Sequence, residues 1–226
     1  MKLLLWDIDG TLLSTGGAGM RALEAATAAE FDLGDTVDLS GIDWAGRTDR
    51  WISRLILEQY NIEYTEQTAR RLIDRYIEML PTYLDTLTEV LPGVNSILQA
   101  YDQNADVVQG LLTGNMQKGA RTKLAHFDLW SYFSFGAFAD DSAVRNDLGP
   151  HALRRAQDQS GHTFHPTDVW VIGDTPHDIE CGKIIGARTL AVATGHHSVD
   201  QLRAHDPDAC WTSLDLVDKF QELLSH

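Results

Sequence analysis

The sequence predicts an α/β fold: a doubly wound, mainly parallel five-stranded sheet core with an inserted α-helical cap domain. Three observations predict it. Five apolar, β-branched-rich segments recur along the chain, helical patterns fall between most of them, and one interval is far too long for a single crossover. With 226 residues, 43% of them hydrophobic, the chain suffices for one substantial core and a smaller accessory unit.

The expected strands are Leu3–Ile8, Asp106–Leu112, Phe133–Phe138, Val169–Ile172 and Thr189–Val192. Helical patterns Ala120–His126, Pro150–Gln159 and Asp178–Ile185 follow the second, third and fourth; Val199–His205 and Leu214–Leu224 follow the fifth. The long interval lies between the first two strands. It contains helical patterns Met20–Phe31, Asp49–Tyr60 and Thr68–Leu80 and no convincing strand, and Pro81 and Pro92-Gly93 punctuate its end. We read 14–89 as a helical cap domain inserted near the end of the first strand, with 1–13 and 90–226 forming the α/β core.

Charge and cysteine usage narrow the partners. Lys plus Arg number 18 against 33 Asp plus Glu, a net charge of -15. So acidic a chain is a poor general binder of nucleic acid or anionic membrane, since polyanion affinity comes from Lys and Arg. A local cation can still reverse the field at one pocket, so small phosphorylated substrates remain open. Cys181 and Cys210 fit no metal spacing and no disulfide framework, which favours a reducing, cytoplasmic setting. No segment reads as a signal peptide or a membrane span.

Ligands of open parallel sheets bind beyond the carboxyl ends of the strands. The first strand ends in Asp7-Ile8-Asp9-Gly10-Thr11, the second in Thr113-Gly114-Asn115, and the fourth in Gly173-Asp174 through Asp178. Side chains at i and i+2 of a strand share a face, so Asp7 and Asp9 are expected to converge. Two such like charges, worth about 4 kcal/mol of repulsion at ~4 Å, call for a cation or a shared proton. Asp7, Asp9, Asp174 and Asp178 form a carboxylate cluster without a histidine or cysteine partner at metal spacing. An all-oxygen site suits a hard cation such as Mg²⁺.

These strand ends together resemble the haloacid dehalogenase superfamily of hydrolases, in its phosphoglycolate phosphatase-like branch with a helical cap. The first motif of that family, DxDx[TV], matches Asp7 to Thr11; its second, a Ser or Thr after an apolar strand, matches Thr113; its fourth, GDxxxD, matches Gly173 to Asp178. The third motif departs: the family usually places a Lys ahead of the helix before motif four, and here Arg145 is the stand-in, with Lys118 and Lys123 as rivals. The resemblance implies a Rossmann-like core and a Mg²⁺-dependent phosphatase acting on a small phosphorylated metabolite, such as a phosphoglycolate-like acid or a sugar phosphate. It implies Asp7 as nucleophile forming an aspartyl phosphate, and Asp9 as general acid and base. Thr113, Gly114 and Asn115 would meet the phosphoryl oxygens with Arg145. Mg²⁺ would be held by Asp7, the Asp9 carbonyl and Asp174, with Asp178 assisting. Arg47, in the run Gly46-Arg47-Thr48-Asp49, is an expected substrate contact.

Plainer readings compete at each position. Asp-Gly pairs make turns, Thr113 and Asp174 could be helix caps, and Arg145 could be a solvated loop charge. The histidines, Cys181, the scattered tryptophans and Asp140-Asp141 read as loop, packing or solvated residues. Two other functions stay open: a phosphomutase of the same superfamily, and a receiver-like phosphate-binding module without catalysis. The chain could act as a monomer or homodimer.

Overall fold

The computed structural model describes residues 1–84 and 88–225. Its centre is a six-stranded parallel sheet of β1 (Lys2–Trp6), β4 (Val107–Leu112), β5 (Gly136–Ala137), β6 (Val169–Gly173), β7 (Arg188–Val192) and β8 (Ala209–Trp211). Across the sheet they run in the order β5-β4-β1-β6-β7-β8. Five were expected; the sixth, β8, pairs Ala209 with Leu190 and Trp211 with Val192. Three residues of Ala-Cys-Trp are too short to give a periodicity signal. The third expected strand, Phe133–Phe138, pairs only at Gly136 and Ala137.

β1 sits between β4 and β6, in register Leu4↔Gln109 and Leu4↔Trp170. Successive side chains of β1 enter opposite cores. Leu4 and Trp6 pack with Val94, Ile97, Phe220 and Leu224, whereas Leu3 and Leu5 pack with Ala152, Ala156 and Cys181. One face is therefore covered by α4 (Val94–Asp102) and α9 (Val217–Ser225), the other by α6 (Leu148–Ser160) and α7 (Pro176–Ile184). A strand buried on both faces reads as a continuous apolar run, and Leu3 to Trp6 are all fully buried. The chain departs to opposite sides of β1 at β4 and β6. That switch point opens a crevice at the strands' carboxyl ends.

Three helices stand over this crevice: α1 (Ala18–Phe31), α2 (Asp49–Gln59) and α3 (Glu66–Tyr83). They bury a separate cluster that includes Ala22, Ile56, Leu72 and Tyr76. Thr48 caps α2 by accepting from Trp51 N, and Thr65 with Thr68 forms a capping box on α3. Pro81 does not end α3, which runs on to Tyr83. The chain enters and leaves this layer through a two-residue antiparallel ribbon, β2 (Leu13–Ser14) and β3 (Glu89–Val90), within an interval expected to hold no strand. Within the expected cap range, 85–87 lie outside the described residues. Among the described residues no helix is long and apolar enough to cross a membrane.

Candidate active site

The ends of β1, β4 and β6 open into one cavity of about 360 Å³. Asp7, Asp9, Thr113, Gly114, Asn115, Arg145, Asp174 and Arg47 all line it. Gly10 makes the turn after β1 with φ at 84°, and a Cβ there would overlap the Asp174 carboxylate. A Cβ on Gly195 would overlap the same carboxylate. Two glycine backbones thus approach Asp174 more closely than any side chain would permit.

Asp7 and Asp9 do not share one cation. Asp7 is buried and accepts from the Arg145 guanidinium at 2.9 Å. Arg145, 7% exposed, also bonds Asp178 through the same Nη2. It lies in a short 3-10 turn ahead of α6 and is no solvated loop charge. Asp9 turns instead to Lys123 of α5 (Gln117–Ala125), whose Nζ donates to both carboxylate oxygens at 2.7 and 2.9 Å. The divergence follows from the backbone: the β1 ladder ends at Trp6, and Asp9 makes an isolated bridge to Leu13. Lys123 is 4% exposed and also donates to Asn115 Oδ1 at 2.7 Å. Asn115 Nδ2 in turn donates to Asp9 and to Thr113 Oγ1. Thr113 Oγ1 accepts that bond, so its own proton can donate elsewhere. Lys118, the other rival, is exposed and does not line the cavity.

Asp7, Asp174 and Asp178 bring carboxylate oxygens within 4.8 Å of one another. Among the described residues one cation, Arg145, pairs with this group, at Asp7 and at Asp178. With all three ionised, three negative charges against one positive leave two uncompensated, which is the charge a divalent cation brings. The donors are oxygen only, as hard cations prefer. Asp178 is the most occupied of the three. Its Oδ2 accepts from Thr175 N and Oγ1 at the start of α7, while Oδ1 holds Arg145. Its carboxylate therefore orients Arg145 and caps the helix, leaving Asp7 and Asp174 as the freer ligands. The Asp9 carboxylate is not in this group.

The imbalance appears in the titration of these groups. Burial pushes Asp7 up to about 6 against the pull of Arg145, and burial holds Asp174 well above the usual carboxylate range. Burial likewise raises Asp49 to about 6. A carboxyl whose folded pKa exceeds its unfolded value binds its proton more tightly in the folded state. Stability then falls as pH rises from the unfolded value, near 4, through the folded one. In chelator the melting temperature is expected to be higher at about pH 5 than at about pH 7.5, by roughly 2–8 °C for ~1–2 kcal/mol. Adding a divalent cation at the higher pH should remove that gap. A chelated protein that melts higher at about pH 7.5 would show the carboxylates to be balanced already.

The run Gly46 to Asp49 seats the helical layer on the core. Asp49 N donates to Gly114 O at 2.7 Å, Asp49 Oδ2 accepts from Met116 N at 2.7 Å, and Thr48 Oγ1 donates to Ala143 O at 2.6 Å. Arg47 lines the cavity, but its guanidinium lies over the Trp51 ring and reaches Asp43 at 3.4 Å. Sequence reasoning missed Tyr76, whose hydroxyl is buried beside Lys123. It also missed Thr194, which donates to Gly10 O. Tyr76 falls at helical spacing in α3 and reads as core; Thr194 has no pattern at all. Asp141, expected to be solvated, forms a bidentate pair with Arg155 at 2.6 and 2.7 Å. Cys181 is buried with its thiol pushed up to about 11 by burial, consistent with packing.

Acidic and hydroxyl side chains gathered at the switch point of a parallel sheet, beneath a helical layer, place the chain among α/β proteins with a ligand site at the strand ends. A profile of the haloacid dehalogenase-like hydrolases matches residues 4–183, and the chain belongs to that family. Within it the chain falls in the phosphoglycolate phosphatase-like branch. It is 27% identical over 220 residues to a phosphoglycolate phosphatase of Vibrio vulnificus, covering 95% of this chain and 93% of that one. It is 25% identical over 231 residues to an N-acetylmuramic acid 6-phosphate phosphatase of Pseudomonas aeruginosa, covering 99% and 93%. The crystal structure of a β-phosphoglucomutase from Clostridium difficile superposes with a TM-score of 0.74 at 18% identity, covering 100% and 97%. That likeness extends to the fold.

Proposed function

We propose that the protein is a Mg²⁺-dependent phosphatase that hydrolyses a small phosphorylated metabolite through an aspartyl phosphate on Asp7. The observation that supports this best is the separation of the two motif-one carboxylates. Asp7 sits beside Arg145 at the charge-deficient cluster, and Asp9 sits apart, held by Lys123 and Asn115 under the helical layer. One carboxylate is placed to attack and the other to move a proton. The range 14–89 acts as a cap that closes over the substrate, and the core is 1–13 with 90–226.

In this reading Thr113, the Gly114 backbone and Arg145 bind the phosphoryl oxygens, where charge spreads at the transition state. Asp7 attacks phosphorus, and the bond to the leaving oxygen breaks as Asp9 donates its proton. Asp9 then takes a proton from the water that attacks the aspartyl phosphate, releasing phosphate and restoring Asp7. Asp7, Asp174 and the Asp9 carbonyl are the groups that would hold the metal, with Asp178 behind them. When bound, the metal supplies positive charge that offsets the repulsion between carboxylate and phosphate. Arg47 touches substrate from the cap side. Both cysteines are free, in keeping with a reducing cytoplasm.

Hydrolysis of an aryl phosphate, measured with Mg²⁺, with chelator and in Asp7→Asn, tests the reading. Phosphate release that needs both metal and Asp7 supports it; equal release by Asp7→Asn contradicts it. A phosphomutase would instead isomerise a sugar phosphate with little net phosphate release. Lys123→Ala is expected to lower kcat by about 10–100-fold with a smaller change in KM, because Asp9 loses the group that aims it. A change confined to KM would reassign Lys123 to substrate binding.

A further inference from the structure

Asp9 is aimed by Lys123, and Lys123 is itself held from two layers. From the core side Asn115 Oδ1 accepts from its Nζ at 2.7 Å. From the helical layer the phenol of Tyr76 lies against the same ammonium. A Cβ on Gly19 of α1 would lie 3.7 Å from Tyr76 Oη and 3.9 Å from Lys123 Nζ, so the two polar ends meet one spot on the cavity wall. The Tyr76 ring packs with Ile56 and Leu72 in the cluster of the helical layer and is 1% exposed. A phenylalanine would serve that packing equally. A buried tyrosine hydroxyl needs a polar partner. Burial pushes this phenol up, so it stays neutral and offers the ammonium an oxygen. The helix that carries Lys123 is gripped at its other end from the same layer. Met116 contributes no side-chain cap to α5; Asp49 Oδ2 accepts from Met116 N, and Asp140 Oδ2 of the core from Gln117 N, both at 2.7 Å. α3, the helix of Tyr76, also packs against α5.

Resting on the phosphatase reading above, we propose that Tyr76 is a positioning residue for proton transfer to the leaving oxygen: its hydroxyl fixes the Lys123 ammonium, and the ammonium fixes the Asp9 carboxyl. A lysine head on its flexible stem has many rotamers. Here four oxygens converge on it: both of Asp9, Asn115 Oδ1 and Tyr76 Oη. They surround an ammonium with only three N–H donors, so its place is set by all of them together. Loss of the Tyr76 oxygen frees the ammonium to swing, and Asp9 swings with it. A general acid must stand within about 2.6–3.2 Å of the oxygen that it protonates, so even a small swing slows the step that uses the proton. Tyr76 itself moves no proton; it acts on Asp9 through Lys123.

Phenyl phosphate and 4-nitrophenyl phosphate separate aiming from general disturbance. They are close in size, but nitrophenolate leaves readily without a proton, whereas the more basic phenolate gains from one. kcat/KM covers the steps up to loss of that oxygen, in which Asp9 acts as the acid. With Mg²⁺, Tyr76→Phe is expected to lower kcat/KM about tenfold on phenyl phosphate and by about twofold or less on 4-nitrophenyl phosphate. A merely structural role would lower both alike. In a Lys123→Met background, adding Tyr76→Phe should change the phenyl phosphate value by less than about twofold, because the residue it acts through is gone. Equal losses on the two esters, no loss on phenyl phosphate, or a full loss that persists beside Lys123→Met would overturn the proposal. In each of those cases metal-dependent turnover by the parent leaves the phosphatase reading standing. No hydrolysis of either ester by the parent would overturn both.

Discussion

Asp7→Asn is expected to lower kcat by at least about 10⁴-fold while the protein stays folded. An amide is nearly the same size as a carboxyl but is a very poor nucleophile toward phosphorus. Binding groups on the phosphoryl oxygens remain, so substrate affinity should change much less than rate. Stability should move the other way from activity. Asp7 is buried in a cluster that is short of positive charge, and burial holds its pKa near 6. Removing that charge relieves repulsion from Asp178 and Asp9, both of which act on it. Arg145 keeps its bond to Asp178. The metal-free variant should therefore melt at or above the parent temperature near neutral pH. Loss of folding in Asp7→Asn would mean that the Asp7–Arg145 pair is structural first.

Arg145→Ala is expected to produce the largest combined loss. It leaves Asp7, Asp174 and Asp178 buried together without their cation. Breaking a buried ion pair from one side costs about 3–5 kcal/mol, or roughly 6–20 °C of melting temperature for a chain of this length. The rate should fall as well, by about 10²–10³-fold, since a donor to the phosphoryl oxygens is lost. Arg145→Lys should recover much of the stability, because it restores charge, but less of the rate, because the planar two-armed donor is gone. Added Mg²⁺ should recover part of the Ala variant's stability. A loss of activity smaller in Arg145→Ala than in Lys123→Ala would move the phosphate-binding cation to Lys123.

The parts of this protein legible in sequence are those where local pattern and burial coincide. Leu3 to Trp6 are apolar because both faces of β1 are covered, and the run stops where Asp7 begins. Thr113 and Asp174 are legible because each follows an apolar strand immediately. Arg145 is not legible in the same way. Its partner Asp7 lies 138 positions away, and nothing in Ala143-Val144-Arg145-Asn146 says that the side chain turns inward. Lys123 has the same difficulty. In the last turn of α5 it resembles any cation favoured there by the helix dipole, yet Asp9, 114 positions distant, draws it into the core. Both cations were rivals for one role in the sequence. The fold gives each a carboxylate of its own. β8 and the β2–β3 ribbon escaped for a different reason: strands of two or three residues carry no periodicity, and only their pairing partners define them.

The most direct test of the account is to look for the phosphoryl group on Asp7. Protein turning over an aryl phosphate with Mg²⁺ is quenched in acid and its peptides are weighed. The account predicts one added phosphoryl group on the peptide that begins the chain, at Asp7, removed by hydroxylamine and absent in Asp7→Asn. Turnover without that adduct in rapid-quench samples, or with the adduct on any other residue, would contradict it.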